Sequence, residues 1–243
     1  MYNFRMEITL AAAKINKYAV SESGDTLETI ERPNGGVSVV LVDGQTSGKG
    51  AKSISTMVTR KVISLLAEGV RDGASARAAS DALYTERSGK VTACLDILSV
   101  DLQTGTIVIS RNNPTPIFVA REDKVECISG DSQPIGTSRN IRPVITEFPL
   151  EKGITVVIFT DGIYNAGDRY GESFDICTLL NALLEEEDPT AQEIADTVLN
   201  QAIRLDQNRP NDDMSVLVMR AVPDETDQIR RLTLRLPVPP VYL

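Results

Sequence analysis

The 243-residue chain contains no histidine and no tryptophan, and it has only three cysteines. Without histidine there can be no Ser-His-Asp triad, no Cys-His pair and no zinc site with histidine ligands. Catalysis would therefore depend on carboxylates, lysines, hydroxyl groups or hard metal ions, and oxygen-rich sites select magnesium, manganese or calcium. The cysteines, Cys94, Cys127 and Cys177, form no CxxC pair and are odd in number. We interpret them as reduced, mostly buried thiols of a cytoplasmic protein.

Long apolar runs and an excess of positive charge are also absent. Arg5 and Glu7 interrupt the first ten residues, so the sequence predicts no secretory signal there. No run approaches the roughly 18 apolar residues of a membrane span. The formal net charge is −9, whereas a nucleic-acid-binding protein would present a basic face. We expect protein or cation partners, with no nucleic acid and no membrane.

The most informative stretch is VSVVLVDGQTSGKG at residues 37–50, where an almost unbroken apolar run ends at Asp43-Gly44. Apolar residues then recur at helical spacing from Ala51 to a stop at Gly69, which predicts a long helix. A strand, a tight loop and a helix therefore meet at Asp43.

Two interpretations of this loop compete. A phosphate-binding loop would have four residues between its first glycine and Gly-Lys, followed by Ser or Thr. Here three residues separate Gly44 from Gly48, and Gly50 follows Lys49, so the spacing disfavours that nucleotide-binding interpretation. The other interpretation is that Asp43 is a metal ligand at the end of a strand, which requires further carboxylates elsewhere.

The remaining periodicity predicts antiparallel strands with helices in pairs. The predicted strands are Met6–Lys14, Lys17–Ser21, Thr92–Asp101, Thr106–Arg111, Pro116–Ala120, Lys124–Ile128, Arg142–Phe148, Ile154–Thr160 and Met214–Ala221, with helices at Gly73–Tyr84, Ser173–Glu186 and Thr190–Leu205. Ser23–Thr26 is predicted to be a polar turn. We therefore expect an α+β fold with two sheets flanked by helices, in one domain over residues 1–222. Residues 223–243 would be a poorly ordered tail, an added edge strand or a docking arm.

Three apolar strands end or begin at acidic residues: VVLVDG at Asp43, VVIFTDG at Asp161, and NDDMSVLVM at Asp212 and Asp213. A single Asp-Gly is typical of a turn. Several carboxylates at a common sheet end would repel one another, and burying them without a counter-ion is costly. Two divalent cations would remove the repulsion, polarise a phosphoryl oxygen and lower the pKa of a water toward about 7. The pattern thus favours metal-assisted hydrolysis without histidine.

An ordered set of motifs resembles the metal-dependent Ser/Thr protein phosphatases of the protein phosphatase 2C superfamily. The motifs are SGDT at 23–26, VDG…SGKG at 42–50, ACLDILSVDL at 93–102, QPIG at 133–136, FTDGIY at 159–164 and NDDMSVLVMR at 211–220. The chain is similar to the bacterial branch typified by the sporulation stage II E and stressosome phosphatases, over about residues 15–222. This resemblance implies an αββα sandwich, two mainly antiparallel sheets flanked by pairs of helices, with two Mn²⁺ or Mg²⁺ ions between the sheets.

The resemblance also assigns roles to individual residues. It implies that Asp43 bridges both ions and that the Gly44 backbone carbonyl binds one of them. Asp161 and Asp212 would hold the second ion, with Asp213 adjoining. Asp25 would bind through water. Asp43, Asp161 and Asp212 would be the catalytic set. Lys49 would contact phosphate or remain a solvated loop lysine. The chain departs from the family's usual pattern in a longer loop after Gly44 and in Asn165, where an acid is common.

The reaction implied by the resemblance is hydrolysis of phosphoserine or phosphothreonine by a metal-bridging hydroxide, without a phosphoenzyme. The substrate would be a phosphorylated bacterial signalling protein, such as an anti-sigma antagonist or a stressosome protein. An alternative of another class is a catalytically silent domain that keeps the phosphatase fold and binds a regulatory partner.

Overall fold

A computed structural model describes residues 6–121, 124–186, 188–223 and 229–237. Ten strands are present in this part of the chain: β1 (Met6–Ile15), β2 (Asp25–Glu31), β3 (Val37–Gly44), β4 (Ala93–Asp101), β5 (Thr106–Asn112), β6 (Ile117–Arg121), β7 (Lys124–Ile128), β8 (Val144–Pro149), β9 (Thr155–Phe159) and β10 (Met214–Pro223). The α-helices are α1 (Gly48–Ala67), α2 (Asp72–Arg87), the single turn α3 (Asp161–Tyr164), α4 (Ile176–Glu186) and α5 (Ala191–Leu205), and a 3₁₀ turn covers Asp168–Tyr170.

The strands form two five-stranded antiparallel sheets, in the orders β1-β10-β9-β6-β7 and β2-β3-β4-β5-β8. Apolar side chains from both sheets meet in a core between them, which includes Leu41, Leu98, Ile158 and Leu217. A second apolar cluster lies between α1, α2 and the β2–β8 sheet, and a third lies between α4, α5 and the other sheet. The predicted αββα sandwich is therefore confirmed.

The helices form where apolar spacing and capping residues agree. Helix α1 buries Ile54, Val58, Val62 and Leu66 along one face, as helical periodicity predicts. Helix α5 begins with a capping box in which the Thr190 hydroxyl accepts the Glu193 N–H and the Glu193 carboxylate accepts the Thr190 N–H.

The N-terminal strand pairing differs from the prediction. Residues 17–21 are not a strand, because the Lys17 N–H binds the Asp213 carboxylate, the Tyr18 N–H binds the Pro210 carbonyl, and Ala19 has a φ of 62°. The strand that pairs with β3 is instead Asp25–Glu31, whose first two residues were predicted to belong to a turn. This strand lies at a sheet edge, and few of its residues are apolar. Hydrophobic periodicity therefore did not predict it.

The strand register brings separated acids to one end of the sandwich. Asp25 pairs with Asp43 across β2 and β3, and Asp43 pairs with Cys94 across β3 and β4. In the other sheet, the end of β9 lies beside the beginning of β10, so Asp161 approaches Asp212. The site therefore lies where both sheets present strand ends.

The remaining fold predictions concern the C-terminal residues and the membrane. Strand β10 continues to Pro223, and residues 229–237 contain no helix or strand, while 224–228 and 238–243 lie outside the described residues. Within the described ranges, no helix combines the length and apolarity needed to cross a bilayer.

Candidate metal centre

Asp25 is the most deeply buried acid of the cluster. Its side chain is fully inaccessible, and its Oδ2 accepts hydrogen bonds from the Ser215 hydroxyl at 2.6 Å and the Thr160 hydroxyl at 3.1 Å. Its Oδ1 has no hydrogen-bond partner among the described residues. One carboxylate oxygen is thus held by strands of the opposite sheet, while the other remains a vacant acceptor.

Removing the Ser215 hydroxyl should therefore loosen Asp25. We expect Ser215→Ala to weaken manganese binding by about 10- to 100-fold, the usual effect of losing a group that orients a metal ligand. Titration calorimetry with Mn²⁺ would measure it. Ser110→Ala is a matched control, because Ser110 is also buried but its hydroxyl has no partner in the described chain. Equal affinity in the two variants would contradict this role for Ser215.

Asp161 and Asp212 approach each other because Gly162 has no side chain. A Cβ at Gly162 would lie 2.1 Å from the Asp213 carbonyl oxygen and 3.3 Å from the Asp212 Cβ. Asp212 accepts the Asp213 N–H through Oδ1 at 2.9 Å, and both Asp161 and Asp212 line a cleft of about 270 Å³. The start of α3 and the turn before β10 thus place the Asp161 and Asp212 carboxylates on one side of this cleft, which we call the carboxylate wall.

The Asp213 carboxylate binds the N-terminal loop instead of lining the carboxylate wall. Its two carboxylate oxygens accept the backbone N–H groups of Lys17 and Gly24 at 2.9 and 2.8 Å. A Cβ at Gly24 would lie 2.7 Å from the Ala51 Cβ, so this loop is closely packed as well. In the structure Asp213 anchors the loop that leads into β2 and Asp25.

Burial and mutual repulsion raise the pKa values of Asp25, Asp43 and Asp161. The pKa of Asp43 is raised to about 9, first by desolvation and then by the charges of Asp25, Asp161 and Asp212. Desolvation also raises the pKa of Asp25 to about 6, against the lowering effect of the Ser215 hydrogen bond. The pKa of Asp161 is raised by desolvation and by Asp212.

These shifts predict that the metal-free protein loses stability as pH rises. Between the ordinary pKa of 3.8 and the folded value of about 9, Asp43 holds more proton in the folded state than in the unfolded chain. The free energy of unfolding therefore falls through this range, by up to about 1.4 kcal/mol per pH unit for one proton. Urea unfolding in chelator at pH 5 and pH 8 should show the decrease, which Mn²⁺ or Asp43→Asn should reduce. A metal-free stability that rises from pH 5 to pH 8 would contradict it.

The donor set fits hard divalent cations. It consists of carboxylate oxygens from Asp25, Asp43, Asp161 and Asp212 together with the nearby Gly44 carbonyl, and Mg²⁺ and Mn²⁺ prefer such oxygens. Asp25 Oδ1 is buried without a partner in the described chain, as a ligand atom or a water acceptor would be. Within the described ranges, no three Asp, Glu or Cys side chains already stand in metal-coordinating geometry. The negative charge and oxygen chemistry of these residues therefore match divalent cations, although the side chains are not yet in coordinating positions.

Two lysines that sequence reasoning missed contact this cluster. The Lys14 and Lys52 ammonium groups donate to the Asp25 backbone carbonyl at 3.1 and 2.9 Å, and Lys52 also donates to the Thr26 hydroxyl at 2.9 Å. Burial, followed by the charge of Lys52, lowers the pKa of Lys14. The positions are 11 and 27 residues from Asp25, so no local spacing indicated them.

The other predicted residues lie at the margin of the centre. Lys49 is exposed in the first turn of α1, and Asn165 is an exposed residue of the cleft that Asp161 lines. Cys94 is half-buried beside Asp43, and burial together with the Asp43 charge raises the pKa of its thiol. The three cysteines are free, as predicted, but the prediction that most of them are buried is wrong, because Cys94 and Cys177 are half-buried and Cys127 is exposed.

Comparison with known sequences places these residues in context. The profile of the stage II sporulation protein E family matches residues 33–222. The chain is 24% identical over 199 residues to stage II sporulation protein E of Priestia megaterium and 25% identical over 214 residues to that of Bacillus subtilis. These matches cover 82% and 88% of this chain but only 34% and 26% of the relatives. The chain thus spans about a third or less of their length.

Solved structures share the fold. The PP2C phosphatase domain of the Bacillus subtilis cell-fate determinant SpoIIE, with a fragment of its regulatory domain, superposes with a TM-score of 0.78 and 22% identity, over 91% of this chain and 65% of that one. The catalytic domain of the serine/threonine phosphatase PstP in complex with two manganese ions has a TM-score of 0.69 and 16% identity, covering 90% and 100% of the two chains. RsbX in complex with magnesium has a TM-score of 0.67 and 15% identity, covering 90% and 99%.

The family match extends across both sheets and includes Asp43, Asp161 and Asp212. On that evidence, the chain belongs to the stage II sporulation protein E family and has the fold of protein phosphatase 2C.

Proposed function

We propose that this chain is a Mn²⁺- or Mg²⁺-dependent phosphatase that hydrolyses phosphoserine or phosphothreonine on a bacterial signalling protein. The observation that carries the proposal is the convergence of Asp25, Asp43, Asp161 and Asp212 from both sheets. Burial and the neighbouring negative charges raise the pKa values of Asp25, Asp43 and Asp161, and divalent cations would offset both effects. The solved neighbours PstP and RsbX hold manganese and magnesium, which supports the choice of ion.

Some of the acidic residues would bind the two ions, and others would hold those ligands in position. Asp43, with the Gly44 carbonyl, and Asp161 with Asp212 would hold two ions, while Asp25 contributes its free oxygen directly or through water. When bound, the ions would polarise the phosphoryl oxygen and make a water acidic enough to ionise near neutral pH. Thr160 and Ser215 fix the orientation of Asp25, and Asp213 fixes the loop that precedes it.

The proposed substrate is a phosphorylated protein of the anti-sigma antagonist or stressosome type, and the proposed compartment is the cytoplasm. Membership of the stage II sporulation protein E family supports a signalling substrate. The chain's overall negative charge also agrees with a protein partner rather than a nucleic acid.

The test is hydrolysis of a phosphoserine peptide and of p-nitrophenyl phosphate in Mn²⁺, in Mg²⁺ and in excess chelator. We expect turnover with at least one cation and none in chelator. The absence of turnover with every cation, in protein with a native circular dichroism spectrum, would favour the catalytically silent binding domain. Metal-independent turnover would contradict the proposed centre.

A further inference from the structure

A cleft of about 590 Å³ lies along the N-terminal half of α1, outside the acidic cluster. Lys49, Lys52 and Arg60 line it, together with Ser53 and Thr56. Residues at positions 52, 56 and 60 recur every fourth residue, so they share one face of the helix. We call this surface, defined by Lys49, Lys52, Ser53, Thr56 and Arg60, the α1 basic cleft.

The cleft carries positive charge on a chain that is otherwise acidic. Helix α1 contains four basic residues (Lys49, Lys52, Arg60 and Lys61) and no acidic residue, whereas the whole chain has a net charge of −9. Glu22 is the one acid among the described residues that line the cleft. Within the described ranges neither Lys49 nor Arg60 forms an ion pair. The helix N-terminus adds to the positive potential.

The same turn of α1 borders both the cleft and the acidic cluster. Lys52 lines the cleft while its ammonium group binds the Asp25 carbonyl and the Thr26 hydroxyl, each at 2.9 Å. The preceding residue, Ala51, packs on the strand that carries Asp43: a Cβ at Gly44 would lie 2.2 Å from the Ala51 carbonyl oxygen. A peptide reaching the carboxylates would therefore have the α1 basic cleft beside it.

We infer that the α1 basic cleft binds acidic residues that flank the phosphorylated serine or threonine of the protein substrate. The inference rests on the proposed phosphatase function and adds a substrate preference to it. Lys49 and Arg60 are exposed and free of ion pairs in the described chain, so they are available for carboxylates of a partner. Lys52 is committed to Asp25 and marks the boundary between the cleft and the metal centre.

The test compares two phosphoserine peptides of equal length, one flanked by Asp and Glu and the other by Asn and Gln. For the wild-type protein in Mn²⁺, we expect kcat/KM to favour the acidic peptide by on the order of tenfold, mainly through KM, as two exposed ion pairs would give. The double variant Lys49→Glu/Arg60→Glu should lose this preference. Lys61→Glu is the matched control, because Lys61 is exposed on the same helix but does not line the cleft. The preference should also shrink in 0.5 M salt.

A second readout separates this inference from the catalytic proposal. Fluorescence anisotropy of a labelled, unphosphorylated acidic peptide with metal-free protein should give a Kd about tenfold weaker for the double variant than for wild type or Lys61→Glu. Equal Kd values, or an unchanged preference between the two phosphopeptides, would overturn the inference. If wild-type protein hydrolyses neither peptide nor p-nitrophenyl phosphate, the proposed function fails, and the anisotropy result still decides the role of the cleft.

Discussion

Replacing Asp43 with asparagine is expected to lower kcat/KM for a phosphoserine peptide by at least about a thousandfold. The bound cations are expected to contribute several kcal/mol of transition-state stabilisation, and each 1.36 kcal/mol corresponds to a factor of ten. Asp43 interacts with the other carboxylates of the cluster, since after desolvation the charges of Asp25, Asp161 and Asp212 raise its pKa. Steady-state kinetics at saturating Mn²⁺ would measure the loss.

The same variant should fold at least as well as the wild type without metal. At pH 8 the folded wild-type protein must keep Asp43 protonated or accept its repulsion with neighbouring carboxylates, and asparagine removes that cost. Unfolding in chelator provides the control for misfolding. Turnover within tenfold of wild type would exclude Asp43 as a metal ligand, whereas a large loss of metal-free stability would show that Asp43 has a structural role.

Gly162→Ala should produce the second large effect. The new Cβ would meet the Asp213 carbonyl oxygen at 2.1 Å, and a backbone atom cannot yield as a flexible side chain would. The start of α3 must then separate from the turn before β10, which moves Asp161 from Asp212. A misplacement of about 1 Å can cost about 100-fold in rate, and overpacking typically costs about 1–3 kcal/mol of stability. Kinetics and urea unfolding would measure the two effects.

Gly50→Ala is the matched control for that substitution. Gly50 lies in the first turn of α1, near the same site, but a Cβ there would meet nothing within 4 Å. Alanine also has the higher helix propensity, so this variant should gain up to about 1 kcal/mol of stability. If Gly162→Ala matched Gly50→Ala in both turnover and stability, the close approach of α3 to β10 would not be required.

The central part of the site was predictable because its signal is local. Asp43 and Asp161 each follow an apolar strand directly, and Asp212 precedes one, so composition and position together predicted carboxylates at strand ends. Antiparallel sheets bring such ends together, and both the periodicity and the resemblance predicted two sheets flanked by helices. The metal ligation itself remains a prediction that the substitutions above would test.

The supporting residues could not be predicted in this way, because their roles depend on tertiary contacts. Asp212 and Asp213 are adjacent in sequence, yet Asp213 binds two backbone N–H groups of the N-terminal loop while Asp212 lines the cleft. Thr160 and Ser215 bind Asp25 across separations of 135 and 190 residues. Such contacts require the register of both sheets, which periodicity does not specify.

The most direct test of the metal centre is anomalous diffraction from crystals grown with Mn²⁺, with data collected on both sides of the manganese absorption edge. We predict two manganese peaks in contact with the Asp43 carboxylate, one of them also bound by Asp161 and Asp212. Well-ordered carboxylates with no anomalous peak near Asp43, at manganese concentrations that support turnover, would contradict the account.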